Sequence, residues 1–310
     1  MAPLNPREGA FFDLSKRTKF RLVGNDRLRF LNGQVTNNVT KADPVSAIAA
    51  CVLNAKGQMN AHLFFSAPPD SLWLDAAPEL RESLKSRLER YIIADDVQID
   101  ELTDPFSLFH LLAQDVPHVP KECRIVSANR FGQRGFDLWV DVDRREELFQ
   151  QLRGNMPFCD DDCAEEFRIE QGIPRWGHEL TEEIIPVEAN LEESCVDYEK
   201  GCYIGQEVIS RMKMSGQRSK SLCGFVASPG TQLTPGIRLF SGVDPAKEVG
   251  WITSVVRSVR LDRVIALGYV KRGHNIPSTE LDARVVETSP KVSASRVMIV
   301  NLPFVPERPA

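Results

Sequence analysis

After about Gly216 the chain changes character, and that change narrows the available folds more than any other feature. From there to the C-terminus short β-rich runs follow one another: Cys223 to Ala227, Glu248 to Val259, Val264 to Val270, Ala283 to Thr288 and Val297 to Val300. Pro-Gly, Ser-Gly and Arg-Gly turns separate them. Short, evenly spaced strands with turn punctuation point to a compact barrel or sandwich. The domain boundary is expected near Ser215–Lys220. No internal repeat is visible.

The residues before the boundary read as α+β. Phe20 to Val23 is a strand candidate, and Gly24-Asn25-Asp26 is a turn from which Asp26 can cap a helix carrying Leu28 and Leu31 toward the core. Ala47 to Leu53 is a near-continuous apolar run, as in a strand buried on both faces. Asn54-Ala55-Lys56-Gly57 turns the chain, and Met59 to Phe65 returns as the second arm of a hairpin. Pro78 opens the clearest helix, with Leu80, Leu84 and Leu88 at four-residue steps. Phe106 to Val142 alternates again. Asp160-Asp161-Asp162 suits a helix N-terminus, and Gly172 suits its stop.

With 310 residues, 42% of them hydrophobic and 26% charged, the chain can bury a sizeable core in two or three domains. Its formal charge of −5 provides no global basic field, so tight nonspecific nucleic-acid binding is not expected. No stretch approaches the length of a membrane span, and MAPLNPREGAFFDLSKR does not read as a secretion signal. Seven scattered cysteines then read as reduced thiols in a cytoplasmic protein. Cys159-x-x-x-Cys163 has no second pair at zinc-finger spacing, and no metal site is expected. Nucleotide-binding glycine loops and the nucleophile elbow of hydrolases are absent.

The densest chemical signal is Lys200-Gly201-Cys202-Tyr203-Ile204-Gly205-Gln206-Glu207, followed by a helical pattern through Val208, Ile209 and Met212. Glycines on both sides of a thiol and an aromatic let the backbone approach a ligand closely. A helix starting here would aim free N–H groups at the segment and favour the thiolate of Cys202. Lys200 and Arg211 add positive charge for a carboxylate or phosphate. The residues equally permit a buried cysteine in a tight turn.

A second constellation runs from Phe167 through Arg168, Glu170 and Gly172 to Trp176, Gly177 and His178. Glu170 falls at a helix end, where the dipole disfavours its charge and calls for a partner. A carboxylate accepts the two N–H groups of a cyclic amidine in a planar fork, and Trp176 offers a stacking face, as a pterin ring requires. The alternative pairs Glu170 with Arg168 or Arg175 and packs Trp176 in the core.

The octapeptide beginning at Lys200, with Arg211 after it, resembles the signature of the YgfZ-type folate-binding proteins. These belong, with mitochondrial iron–sulfur cluster assembly factors, to the glycine-cleavage T-protein (aminomethyltransferase-like) superfamily. Phe30-Leu-Asn-Gly-Gln-Val-Thr-Asn37, Leu53-Asn-Ala-Lys-Gly57, Arg168-Ile-Glu-x-Gly172 with Pro186, Val249-Gly-x-Ile-Thr-Ser254 and Ala266-Leu-Gly-Tyr-Val270 extend the resemblance over nearly the whole chain. It implies an α+β, ring-like folate-binding region of two modules over 1–215 and an antiparallel β-barrel over 216–310, with tetrahydrofolate or a one-carbon derivative as cofactor. It also implies that Glu170 meets the pterin and that Trp176 stands where the T-protein has a tyrosine. Lys200, Gly201, Tyr203, Gly205, Gln206, Glu207 and Arg211 complete the cofactor-binding set around the reactive Cys202.

The T-protein carries an aspartate pair soon after the hairpin glycine. Here that stretch reads Gly57-Gln-Met-Asn-Ala61-His62, without a carboxylate. Losing such a positioned group costs about 10²–10⁴-fold in rate. The reading is therefore a tetrahydrofolate-binding factor supporting iron–sulfur cluster assembly or repair in client enzymes. Its partners are folate and iron–sulfur client or assembly proteins, and any effect on tRNA modification is indirect. A folate-dependent aminomethyl transferase and a non-catalytic protein- or tRNA-binding module are the alternatives, and whether the chain turns over a substrate stays open.

Overall fold

The computed structural model describes residues 4–115, 118–244, 246–284 and 295–305. Its first half contains β1 (Ala10–Asp13), β2 (Thr18–Val23), α1 (Arg27–Gln34), β3 (Ile48–Leu53), β4 (Met59–Ser66), β5 (Leu72–Ala76), α2 (Arg81–Glu89), β6 (Gln98–Glu101), β7 (Phe106–Leu112), β8 (Arg124–Asn129) and β9 (Arg134–Asp141). Then come α3 (Arg145–Asn155), α4 (Asp161–Gln171), α5 (Glu192–Cys195) and α6 (Gln206–Ser215). The strands β10 (Lys220–Ala227), β11 (Arg238–Ser241), β12 (Glu248–Ser258), β13 (Arg263–Lys271), β14 (Glu280–Arg284) and β15 (Ser295–Val300) complete the described chain. The expected strand over Ala283 to Thr288 begins earlier, at Glu280, and its part beyond Arg284 lies outside the described residues.

The fold is α+β: two antiparallel sheets followed by a closed antiparallel barrel. One sheet has the order β3-β4-β5-β2-β6 and the other β1-β7-β9-β8. The barrel runs β10-β13-β12-β11-β14-β15 and closes through the pairing of β15 with β10. The alternative of an open sandwich is thereby excluded. Strand β11 carries no signal that the sequence reading used, because Arg238–Ser241 is too short for a period-two pattern to stand out.

The apolar run in β3 has a direct cause. Ala50 and Val52 pack with Leu84 and Leu88 of α2, while Cys51 and Leu53 face a second core shared with Ile209 of α6 and Leu267 of the barrel. A strand between two cores is apolar on both faces. At α1 the outcome differs from expectation. Leu28 is exposed, and Phe30 and Leu31 are the buried positions. Asp26 precedes the helix, but its carboxylate accepts the Asp96 N–H at 2.8 Å instead of capping α1. Helix α4 follows its signals: Asp160 accepts from the Cys163 N–H at its start, and Gly172 ends it in the left-handed region. The expectation of reduced thiols fails next to it. Cys159 and Cys163 are joined, because the residue before the Asp160 cap and the third residue of the helix have their Cα atoms 5.3 Å apart, within disulfide reach.

The two sheets are tied by a buried ion cluster. Arg130 Nη1 and Nη2 donate to Asp75 of β5 at 3.0 and 2.6 Å, and its Nε and Nη2 donate to Asp137 of β9 at 2.8 and 2.7 Å. Its guanidinium lies 4.3 Å from the Phe64 ring centre, and His110 Nδ1 is 2.8 Å from Asp137. Burial alone would push Asp137 up, but the Arg130 charge and the His110 hydrogen bond hold it at about 2. A carboxyl whose pKa is lower folded than unfolded stabilises the fold above its unfolded value and loses that contribution as pH falls through the folded value. Acid titration of the chain, followed by near-ultraviolet circular dichroism, is therefore expected to reach its steepest loss between about pH 4 and pH 2.

Candidate functional site

Three segments distant in sequence lock together where α6 begins. Gly205 precedes α6 with φ +86°, and a Cβ there would stand 2.7 Å from the Asn54 carbonyl oxygen and 3.3 Å from Gly57 Cα. Gly57, with φ +75°, lies under Val208, whose Cβ a side chain would meet at 2.9 Å. The helix start thus sits directly on the β3–β4 turn. Gly205→Ala combines left-handed strain with overpacking and is expected to cost about 2–4 kcal/mol, read from denaturant midpoints. At Gly201 a Cβ would meet nothing within 4 Å. The close backbone approach expected at both glycines is, at Gly205, an approach to the chain's own hairpin rather than to a ligand.

Lys200 joins this seat to α1. Its ammonium donates to the carbonyls of Asn32 (2.6 Å) and Val35 (2.6 Å) at the end of α1 and of Asn37 (2.8 Å) just beyond it. An ammonium has three donors, and all are taken. Burial, against the pull of Asp197, lowers its pKa to about 8. The expected roles of Lys200, holding a folate tail or tuning the thiol, are therefore corrected: it is a helix clamp with no donor left to give.

Tyr203 is buried in the core between β3 and the barrel, its ring 5.0 Å from the Lys200 nitrogen, and burial pushes its hydroxyl up to about 12. Between these two fixed side chains stand Gly201 and Cys202, both exposed. Cys202 makes no hydrogen bond among the described residues. Gln206 is half-buried and its N–H donates to the Tyr203 carbonyl at 3.2 Å. Glu207 and Arg211 form an exposed pair one helical turn apart, an arrangement worth little in water. The motif is a structural frame around an accessible thiol.

The second constellation lies elsewhere in the contact network. Glu170 is 4% exposed, accepts from Ser258 Oγ at 2.5 Å and pairs with the Arg260 guanidinium. No hydrogen bond joins it to residues 200–207 among the described residues. A pterin at Glu170 would have to displace one of those partners. Neither Arg168 nor Arg175 serves it. Arg168 Nη1 donates to the fully buried Glu179 at 3.0 Å, which also receives Thr253 Oγ1 at 2.7 Å and Ser254 Oγ at 2.6 Å from β12. Helix α4 and its following loop are thus stitched to the barrel, which is the function of Glu179 that the sequence reading did not single out. Trp176 is half-buried and packs against both the α1/α2 core and the core beneath the barrel.

Strand alternation decides which residue occupies the position of the absent aspartate pair. Ala61 lies in the core under α1 and α2. His62 pairs across the ladder with Cys51 and shares its face, directed away from those helices, with Phe64 one step further on at 5.3 Å between ring centres. Of Ala61 and His62, only His62 therefore lies outside that core. Beside it stands a thiol pair, Cys51 and Cys195 of α5, both fully buried. The sequence offers no signal for this pair beyond the alternation at Cys51, since α5 reaches β3 only through tertiary contact. Among the described residues no three His, Cys, Asp or Glu side chains form a metal site, and no helix is long and apolar enough to cross a membrane.

Residues 220–305 match the glycine cleavage T-protein C-terminal barrel domain. The whole fold superposes on the glycine cleavage system aminomethyltransferase T of Bartonella henselae with a TM-score of 0.84, covering 96% of this chain and 86% of that one at 17% identity. The fold is that of the glycine-cleavage T-protein, closed by a T-protein-type C-terminal barrel. An aminomethyltransferase of Aquifex aeolicus is 34% identical to this T-protein-like chain over 154 residues, 50% of the chain and 41% of that relative's length. An uncharacterized protein of Haemophilus influenzae is 25% identical and is covered over 88% of its length by 84% of this chain. The mitochondrial iron–sulfur cluster assembly factor IBA57 homolog of Dictyostelium discoideum is 24% identical over 76% of this T-protein-like chain and 66% of its own.

Proposed function

We propose that this chain is a tetrahydrofolate-binding factor of the YgfZ type that supports assembly or repair of iron–sulfur clusters in client enzymes, with Cys202 as its reactive thiol. The observation that carries the proposal is the exposure of Cys202 between the anchored Lys200 and Tyr203. Among the described residues nothing bonds to the Cys202 thiol, whereas Lys200 and Gly205 are each fitted to a neighbour. The relationship to an iron–sulfur cluster assembly factor supports the same reading. Its partners would be folate and iron–sulfur client or assembly proteins, in the cytoplasm.

Aminomethyl transfer is the weaker alternative, although two relatives carry that name. In the stretch after Gly57 the side chain outside the α1/α2 core next to Ala61 is the imidazole of His62, and neither residue supplies a carboxylate to position an aminomethyl group. The folate contacts we assign begin with Trp176, whose half-buried indole offers a stacking face, and Arg211, whose weak surface pair leaves it available to the folate carboxylates. Gly201, Gln206 and Glu207 remain within the proposed site, and Tyr203 supports it from below. The fit of Glu170 to the pterin requires Ser258 or Arg260 to yield.

Calorimetric titration with tetrahydrofolate tests the ligand. Micromolar binding to the wild type is expected, weakened about tenfold by Trp176→Ala through loss of the stacked ring. Absence of heat up to millimolar folate would contradict the assignment.

A further inference from the structure

The two residues of the Cys159–Cys163 disulfide differ in access. Cys159 is 1% exposed and packs among Ala10, Phe12, Leu112 and Phe167. Cys163 is half-buried and lines a cavity of about 120 Å³. One side of that cavity is a stripe of α4, since Cys163, Glu166, Phe167 and Glu170 recur at the steps that place side chains on one helix face. The segment 4–6, with Leu4 exposed, and Arg260 complete the lining. Glu166 already accepts the Val259 N–H at 2.7 Å, and Glu170 holds Ser258 and Arg260. Arg260 Nε, by contrast, is buried without a hydrogen-bond partner among the described residues. A buried donor in that state favours any ligand that brings it an acceptor oxygen.

As a staple the bond adds little. Its cysteines are four residues apart, and the stabilisation from a cross-link grows with the length of the loop it closes. Other bonds already fix both ends. The Cys159 N–H donates to the Phe11 carbonyl at 2.9 Å, and the Cys163 N–H to the Asp160 carboxylate at 3.0 Å. Helix α4 is also held to the barrel through Arg168 and Glu170, independently of the sulfurs. In the cytoplasm proposed above, a disulfide is commonly transient and redox-sensing rather than structural.

We propose that Cys159 and Cys163 form a thiol–disulfide exchange site, in which a low-molecular-weight thiol bearing a carboxylate or amide oxygen becomes attached to Cys163 while Cys159 stays in the core as the resolving thiol. The thiolate of the small molecule attacks Cys163 Sγ. A new S–S bond forms, the Cys159–Cys163 bond breaks, and its electron pair passes to Cys159 Sγ, which takes a proton from water. Return attack of Cys159 on Cys163 Sγ expels the small thiol and restores the internal disulfide. Attack of a second small thiol on the sulfur of the first instead frees Cys163 and releases the symmetrical small disulfide. The protein pair then gains the two electrons that the two small thiols lose. Arg260 Nε–H supplies the donor for the ligand oxygen, and the enclosure of Cys163 behind the segment 4–6 favours a small thiol over the active site of another protein.

Millimolar reduced glutathione applied to the full chain purified without reductant, followed by acid quenching, alkylation, digestion and tandem mass spectrometry, tests this. A Cys159–Cys163 disulfide is expected before treatment. During treatment a glutathione adduct should appear on Cys163, at least about tenfold more abundant than one on Cys159. Arg260→Lys keeps the charge beside Glu170 but lacks the Nε–H. It should slow opening by glutathione about tenfold and leave opening by 2-mercaptoethanol within about twofold. Equal slowing of both thiols would remove Arg260 from the site. Free thiols at both positions in the untreated chain, an adduct first on Cys159, or a disulfide that opens only after denaturation would overturn the proposal. The wild-type map decides this even if the variant does not fold. These readouts involve neither folate nor Cys202, so the exchange can fail while the folate reading stands.

Discussion

Replacing Arg130 with methionine is expected to lower the stability of the folded chain by about 3–5 kcal/mol, visible as a large drop in the denaturant midpoint. The guanidinium is enclosed by Asp75 and Asp137, and all three side chains are at most 8% exposed. Removing it leaves two carboxylates in a low-dielectric space, where each must be neutralised by taking up a proton or become solvated by local opening. Arg17 still pairs with Asp75 and His110 with Asp137, which keeps the loss finite. The methionine fills most of the volume, so the effect reports charge rather than a cavity. The acid midpoint should rise in the same variant, because Asp137 no longer has the neighbour that holds it at about 2. An unchanged midpoint would mean that the two sheets do not depend on this cluster.

Lys200→Met is expected to cost about 3 kcal/mol and to release the segment that carries Cys202. Three carbonyls at the end of α1 share one ammonium, and methionine leaves them without a donor. Arginine should not rescue the variant, since its planar fork cannot reach three oxygens arranged around a point. Faster alkylation of Cys202 in Lys200→Met than in the wild type is the accompanying readout. Equal stability of the two proteins would show that the clamp is dispensable and would return Lys200 to the ligand-binding candidates.

The sequence reading located elements well where local chemistry acts alone. The stop of α4 at Gly172 follows from a left-handed backbone, and the β3–β4 turn from Asn54 to Gly57 follows from turn residues. It did less well where a distant partner decides. Asp26 looked like a helix cap, but Asp96 takes its carboxylate. Leu28 has the helical spacing of a core residue, yet lies on the solvent side because Phe30 and Leu31 already fill the α1 face of the core. The site shows the same division. The octapeptide from Lys200 was visible as a cluster, but its lysine and second glycine fit the end of α1 and the hairpin turn, and no spacing rule reveals such a fit. Glu170 invited a ligand because its charge opposes the helix dipole, and the barrel supplies Arg260 from ninety residues downstream. Cys51 and Cys195 come together only through tertiary contact.

The most direct test of the central claim uses cells deleted for this chain and complemented with the wild type or with Cys202→Ser. Iron–sulfur enzyme activity should remain at the deletion level in the variant, while its unfolding free energy stays within about 0.5 kcal/mol of the wild type, as for any exposed side chain without partners. Full restoration of those enzymes by Cys202→Ser at equal protein abundance would contradict the assignment of Cys202 as the reactive thiol.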